Sequence, residues 1–296
     1  MKRRIFIAIV FVSIGFNGCK KEQAQIPSFI RINGITLIDT DFVVARNGLK
    51  TSNNLTDDWV DMNGDYIGTF QNPTRFPVLY WGKVQGQFTP GVKADGTAAT
   101  REIYPFIHPY ATTLNLTAGQ VTNLTPVYHY WSNTVAPVNE FFEDSINSFE
   151  TIDTPGYAQY TIVHDTAEVF SGKGSLYLQL TSTNSQFELY ARNAVLLPLD
   201  QPVWLEVNFK VDMPTTVGVI EFVPNGSGGT IQNAVYLVDM QPTSVWKKIY
   251  IDFTSTISTN VAGTTFTFIV VGTLPSGQQT GNIYLDNLRV LTFPDK

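Results

Sequence analysis

Short runs of alternating apolar and polar residues recur along the chain, cut by Gly, Pro, Asn and Asp, and helical periodicity is nearly absent. A period of two sends successive side chains to opposite faces, so the pattern predicts half-buried strands and an all-β protein. In the first part, residues 29–32, 59–62, 65–68, 76–79, 84–92, 114–117 and 121–125 read as strands. Asn63-Gly64 between two of them predicts a tight hairpin, whose central residues both need positive φ. Such short strands and turns predict an immunoglobulin-like sandwich over residues 26–126. In the second part, residues 176–180, 187–192, 203–211, 217–223, 234–239, 248–253, 265–271 and 283–290 read as strands. That set predicts a jelly-roll sandwich over 141–296. Within 203–211 the alternation sends Val203, Leu205, Val207, Phe209 and Val211 one way and Trp204, Glu206, Asn208 and Lys210 the other.

The segment between the two blocks, 127–140, carries Tyr128, His129, Tyr130 and Trp131. A flexible linker would be rich in Gly and Ser, so this aromatic one is expected to be packed and to hold the domains in one orientation. Residues 101–110 contain Pro105 and Pro109 among large apolar side chains and make a poor strand. They suit a loop over the core edge or an exposed aromatic patch for a partner.

Charged residues make up only 15% of the chain and aromatic residues 13%, which argues against disorder and coiled coil. A net charge of −6 argues against nucleic acid as a partner. A single Cys and three His exclude an intrachain disulfide and leave little for a Cys/His zinc site.

The N-terminus reads as an address. Lys2, Arg3 and Arg4 precede an apolar run from Ile5 to Phe16, a signal-peptide pattern over residues 1–18. Phe16-Asn17-Gly18-Cys19 resembles the lipobox of bacterial lipoproteins, with polar Asn17 where a small residue is commoner. The resemblance implies cleavage before Cys19 and its acylation, with about 0.8 kcal/mol of membrane affinity per buried CH₂ (a palmitate-like chain carries many). Lys20, Lys21, Glu22 and Gln23 resemble the surface-export signal of Bacteroidota lipoproteins. Residues 19–25 are then a lipidated tether to the outer membrane, with the body exposed at the cell surface.

Four signals in the second block come in a telling order. They are an opening Phe-Glu strand at Phe142-Glu143-Asp144, then Gly172-Lys173-Gly174-Ser175-Leu176, Trp246-Lys247-Lys248-Ile249, and the run from Ile283 through Asp286 and Asn287 to Val290. This order resembles the galactose-binding-like jelly rolls of carbohydrate-binding modules. Such modules often hold a structural Ca²⁺. By that resemblance Glu143 and Asp286 would supply carboxylate oxygens and Lys173 a main-chain carbonyl, a suitable donor type for Ca²⁺. The whole chain also resembles a group of Bacteroidota surface lipoproteins, through Ile26-Pro27-Ser28-Phe29-Ile30, Phe76-Pro77-Val78-Leu79, Pro90-Gly91-Val92-Lys93 and Tyr104-Pro105-Phe106. That resemblance implies a companion of outer-membrane β-barrels in uptake, secretion or barrel assembly.

Catalytic patterns are absent from the sequence. No nucleophile elbow, P-loop or dinucleotide fingerprint occurs, and no local pattern marks a pair of catalytic carboxylates. Gly226-Ser227-Gly228-Gly229 reads as a hairpin loop, Asp57-Asp58 as a turn, and Trp246 as core. His108, His129 and His164 lie far apart in sequence. The expected class is therefore non-enzymatic.

Two functions stay open. Docking to an outer-membrane β-barrel complex would use aromatic anchors, with Tyr104, Phe106, Tyr110, Tyr128, Tyr130 and Trp131 as the candidates. This is the leading expectation. The alternative is capture of polysaccharide, which wants an aromatic platform beside planar polar groups, with Tyr190, Arg192, Trp204, Glu206 and Asn208 as the candidates. Alternation groups Tyr190 with Arg192, and Trp204 with Glu206 and Asn208, but leaves open whether the two strands are neighbours. The competing placement packs Trp204 under the linker or first domain and pairs Arg192 with Glu206.

Overall fold

The computed structural model describes residues 24–38, 52–143 and 147–295. The signal segment, Cys19, residues 20–23 of the tether and Asp144 lie outside them. The N-terminal strands are β1 (Ser28–Ile32), β2 (Thr36–Ile38), β3 (Asp57–Met62), β4 (Asp65–Gln71), β5 (Thr74–Val78), β6 (Gly82–Lys93), β7 (Arg101–Ile103), β8 (Tyr110–Leu116), β9 (Val121–Leu124) and β10 (Val127–His129). The C-terminal strands are β11 (Val135–Glu140), β12 (Phe149–Thr151), β13 (Tyr160–Val163), β14 (Ser175–Thr181), β15 (Gln186–Ala191), β16 (Val195–Leu196), β17 (Val203–Val211), β18 (Thr215–Pro224), β19 (Thr230–Met240), β20 (Lys247–Asp252), β21 (Thr265–Thr273) and β22 (Thr280–Thr292). A single short helix, α1 (Thr254–Ser258), interrupts them among the described residues.

The fold is all-β, a smaller sandwich followed by a larger one. In the first, the sheet β5-β1-β9 faces the sheet β4-β3-β6-β7, in which β8 also pairs with β6. Ile30, Ile32, Val60, Met62, Phe76, Phe88 and Leu114 fill the space between them. Asn63 and Gly64 both take positive φ between β3 and β4, as their sequence requires. β6 is long enough to serve several partners, with Asp57–Met62 on one edge and both β7 and β8 on the other.

Gly91 on β6 lets the Trp59 ring cross the strand. A Cβ there would stand 2.0 Å from Trp59 Cζ3 and 2.6 Å from the Glu102 carbonyl oxygen. Gly91→Ala is therefore expected to cost about 1–3 kcal/mol through forced repacking. Chemical denaturation followed by tryptophan fluorescence would measure it, and an unchanged midpoint would contradict the overlap.

The second sandwich stacks the sheet β13-β14-β22-β17-β20, with β11 also on β22, against β12-β15-β21-β18-β19, with β16 also on β21. Alternation in β17 runs as the sequence demands. Val203, Leu205, Val207, Phe209 and Val211 all enter the core with Leu178, Leu285, Phe266 and Phe268.

Three expectations need correction. Residues 135–140 are not linker, because β11 pairs with Leu288–Val290 and Thr292 of the second sandwich. Phe142-Glu143 is not a strand, and Phe142 takes φ of 54° at the bend after β11. Asp57 and Asp58 form no turn. They open β3 in the interior, where Asp58 accepts a 2.7 Å bond from Asn72 and a further one from the Tyr128 hydroxyl.

The two sandwiches share a third core. Leu37, Leu55, Val92, Tyr104, Phe106, Ile107, Tyr128 and Tyr130 from the first side meet Trp204, Tyr250 and Leu291 from the second. The Tyr104 ring stands edge-on to Trp204 and Tyr250, with centroids 5.4 and 4.8 Å away. Ala94 forms a parallel bridge to Tyr250 across the junction.

Candidate functional site

The sequence left Trp204 either on a solvent-facing sugar platform with Glu206 and Asn208 or packed under the linker or first domain. The structure buries all three at the junction, with exposures of 2%, 0% and 2%. The alternation was right about their common face; that face is covered by the first sandwich. Tyr190 and Arg192 belong to the opposite sheet, so the five residues form no common surface. Arg192 pairs with Glu150, not Glu206.

Four of the six anchors proposed for docking are also internal. Tyr104, Phe106, Tyr128 and Tyr130 are buried in the junction core, and Tyr110 is half-buried against it. Trp131 remains on the surface, stacked on His108 at a centroid distance of 4.0 Å. Residues 104–131 thus spend their aromatic area holding the protein together.

Glu206 is the hub of that junction. Its Oε2 takes Arg289 Nε at 2.8 Å and Lys248 Nζ at 2.6 Å. Its Oε1 accepts from the Tyr130 hydroxyl at 3.0 Å and also from Tyr104. Burial pushes the carboxyl pKa up, but the charges of Arg289 and Lys248 and their hydrogen bonds outweigh it and hold the group at about 2. Burial, then the charge of Glu206, keeps the Tyr104 phenol protonated well above its ordinary range.

The exposed concavity lies on the outer face of the second sheet. Cross-strand registers run Glu188–Val271–Thr216–Asp239 across β15, β21, β18 and β19. The neighbouring row runs Tyr190–Ile269–Gly218–Tyr236. Two adjoining depressions of about 390 and 480 Å³ follow the first row, lined by Tyr157, Gln186, Glu188, Thr216, Tyr236 and Asp239.

A bulge builds one wall. β18 and β19 shift register between Val217 and Gly218, so Leu237 has no opposite residue. Tyr236 and Leu237 then both reach solvent, at 55% and 38% exposure, while Val238 returns to the core. Gly218 admits the bulged strand, since a Cβ there would stand 2.4 Å from the Val235 carbonyl oxygen and 3.3 Å from Tyr236 Cδ1.

The polar groups of this groove are suited to holding hydroxyls. Thr216 Oγ1 bonds Asp239 Oδ1 at 2.6 Å. Burial raises the Glu188 carboxyl above its ordinary value. These carboxylates sit three strand spacings apart, about 14 Å at the backbone at roughly 4.8 Å per strand. Paired glycosidase acids stand about 5–9.5 Å apart. Glu188 and Asp239 are therefore too far apart at the backbone to match that pairing.

A second polar cluster surrounds the turn at 171–175. The Glu143 carboxylate accepts the Lys173 N–H at 2.9 and 3.0 Å. Asp286 accepts the Ser175 hydroxyl at 2.8 Å and the Ser171 N–H at 3.2 Å. Gly172 takes φ of 70° in this turn, and a Cβ there would also lie 2.0 Å from Glu143 Oε1 and displace that carboxylate. Burial, with a further contribution from the charge of Glu143, raises the Asp286 carboxyl to about 7. Two carboxylates thus grip one turn and repel each other, and the neighbouring Asn287 Oδ1 is buried without a hydrogen-bond partner. The donors are hard oxygens of the kind Ca²⁺ takes. The Lys173 carbonyl meets His164 Nδ1 at 2.7 Å. Among the described residues no group of three or more acidic, His or Cys side chains is gathered, so main-chain or amide oxygens would have to complete a metal site.

No protein-family model matches the chain, and no curated protein matches it in sequence. Solved structures give similarities of fold. The CBM22-1 xylan-binding domain of Paenibacillus barcinonensis Xyn10C is 11% identical, with 56% of this chain covering 99% of that one at a TM-score of 0.39. A carbohydrate-binding module from the β-sandwich superfamily is 14% identical, with coverage of 90% and 96% and a TM-score of 0.39. The TmCBM61 domain, solved with β-1,4-galactotriose, is 10% identical, with coverage of 48% and 86% and a TM-score of 0.30.

Sequence reasoning named Tyr190, which stands on β15 in the row beside the groove and lines neither depression. It missed Glu188, Tyr236, Leu237 and Asp239. Glu188 shares the face of Tyr190 by the period of two and was open to discovery. The other three depend on which strand lies opposite and on a bulge that alternation does not announce.

Proposed function

We propose that the protein is a non-catalytic glycan-binding lipoprotein, anchored through Cys19 in the outer membrane and exposed at the cell surface. The observation that carries the binding reading is the cross-strand groove. Tyr236 and Tyr157 flank a row of hydroxyl and carboxylate groups wide enough for several sugar rings. Aromatic faces take the C–H side of a pyranose, and planar polar groups take its hydroxyls. Anchorage rests on the signal and lipobox read from the sequence. The docking alternative has lost most of its anchors to the interior.

Affinity electrophoresis against soluble xylan, β-glucan, galactan and mannan tests the reading. One of these polymers should retard the protein. Tyr236→Ala should weaken that binding about 30-fold, as expected when an aromatic contact worth about 2 kcal/mol is truncated. Tyr236 is largely exposed, so the variant should fold normally. No retardation by any polymer would overturn the reading.

We further propose that Ca²⁺ occupies the turn gripped by Glu143 and Asp286, where its charge would relieve the repulsion between them. Its role would be structural. Millimolar Ca²⁺ should raise the Tm by several degrees by mass action, and Asp286→Asn should abolish the increment. An equal Tm in Ca²⁺ and in chelator would remove the metal from the account.

A further inference from the structure

A cavity larger than either depression of the groove lies at the edge of the second sandwich, where the two bodies meet. Its volume is about 900 Å³. The first sandwich contributes Ser52, Asn53, Asn54 and Asp95, and the second contributes Asn208, Gln241, Trp246 and Phe170. Its lining is rich in amides and hydroxyls, with one aromatic wall.

That wall is built firmly. Trp246 packs against Phe170 with centroids 5.4 Å apart and meets the Tyr284 ring edge-on at 6.3 Å. Lys210 Nζ sits 5.6 Å from its ring centroid. The indole N–H is shielded from solvent and has no hydrogen-bond partner. Trp246 is thus not the core residue its sequence position suggests. It is half-buried and edges a cavity.

The floor and far wall are fixed across the junction. Ser52 Oγ donates to Asn208 Oδ1 at 2.8 Å, and Asn54 Nδ2 donates to the Lys248 carbonyl at 3.0 Å. The Asn54 N–H bonds the Tyr250 hydroxyl at 3.0 Å. The cavity is a product of the fixed orientation of the two sandwiches, and neither sandwich contains it alone.

We propose that this cleft is a second binding site for an uncharged oligosaccharide. Amides donate and accept, and carboxylates accept, in the planar geometry that vicinal hydroxyls require, and an indole supports the apolar face of a sugar ring. Asp95 and Asp239 are matched in the lining by Lys247 and Lys248, so the formal charges balance and select neither an anion nor a cation. The Lys248 ammonium is engaged with Glu206 and the Ser52 carbonyl. The volume is of the size of sites that enclose small ligands. The site lies apart from the sheet groove except at Asp239, which lines both.

Calorimetric titration of the full chain with cello-, xylo- and galacto-oligosaccharides of two to six sugars tests the proposal. Tyr236→Ala, which disables only the groove, should leave residual binding. Adding Asn53→Ala and Gln241→Ala, both at exposed positions, should weaken that residue at least tenfold. Ligand-induced tryptophan fluorescence change should vanish in Trp246→Phe, which keeps an aromatic wall. Binding abolished by Tyr236→Ala alone, with wild-type affinity in the Asn53/Gln241 variant, would overturn the cleft and leave the groove standing. No binding by the wild-type chain would overturn both.

Discussion

Glu206→Ala lowers the stability of the whole chain by about 3–5 kcal/mol, the usual cost of removing one partner from a buried ion pair. For a protein of this size that is a fall in Tm of roughly 6–20 °C. The cause is the company Glu206 keeps. Its removal leaves Arg289 and Lys248, 3% and 7% exposed, without the carboxylate that neutralises them, and leaves Tyr104 without its acceptor.

The same group sets an acid limit. Its folded pKa of about 2 lies below the ordinary 4.5, so the folded state holds its proton less tightly than the unfolded chain. The stabilisation is complete above pH 4.5 and is lost as pH falls through 2, a total of about 3 kcal/mol for the shift. Urea melts between pH 2 and 6 would record this limb. Glu206→Gln should flatten it, and an identical limb in wild type and Glu206→Gln would assign acid sensitivity to other carboxylates.

The second large effect is Trp204→Ala. Its side chain is enclosed by the first sandwich, with the Tyr104 ring edge-on at 5.4 Å. Truncation of a buried aromatic costs about 3–5 kcal/mol in lost transfer energy and residual cavity. The outcome separates the two meanings of this residue. A junction residue loses stability and keeps the polysaccharide affinity proposed for the groove. A platform residue would lose affinity at unchanged stability. Denaturation and affinity electrophoresis on one variant decide between them.

Trp204 also marks how far the sequence can be read. A nine-residue alternation in β17 fixes which side chains share a face, since the pleat allows nothing else. It says nothing about what covers that face. Trp204, Glu206 and Asn208 have the composition of a sugar platform and serve instead as the seam between two bodies. The linker aromatics Tyr128 and Tyr130 are the other half of that seam. The hairpin at Asn63-Gly64 was legible because its cause is local, a pair of residues that tolerate positive φ. β10, β11, β12 and β13 were not, because each is only three to six residues long and gains its pairing from distant chain. The groove was not read from the sequence. Glu188 shares the face of Tyr190 by alternation, but the opposite wall requires the strand order and an unpaired Leu237, both of which arise only after folding.

The shared seam bears on how such a protein can be inherited. A domain joined to its neighbour by a flexible spacer can be cut and rejoined as a separate unit. The larger sandwich here could not be excised in that way. A cut before β11 would strip cover from Trp204, Tyr250 and Leu291, and would leave a carboxylate and two cations facing water on an apolar surface. Gene fusion or truncation at this boundary would yield an aggregation-prone fragment. The two sandwiches should therefore travel through evolution as one unit, lost or gained together.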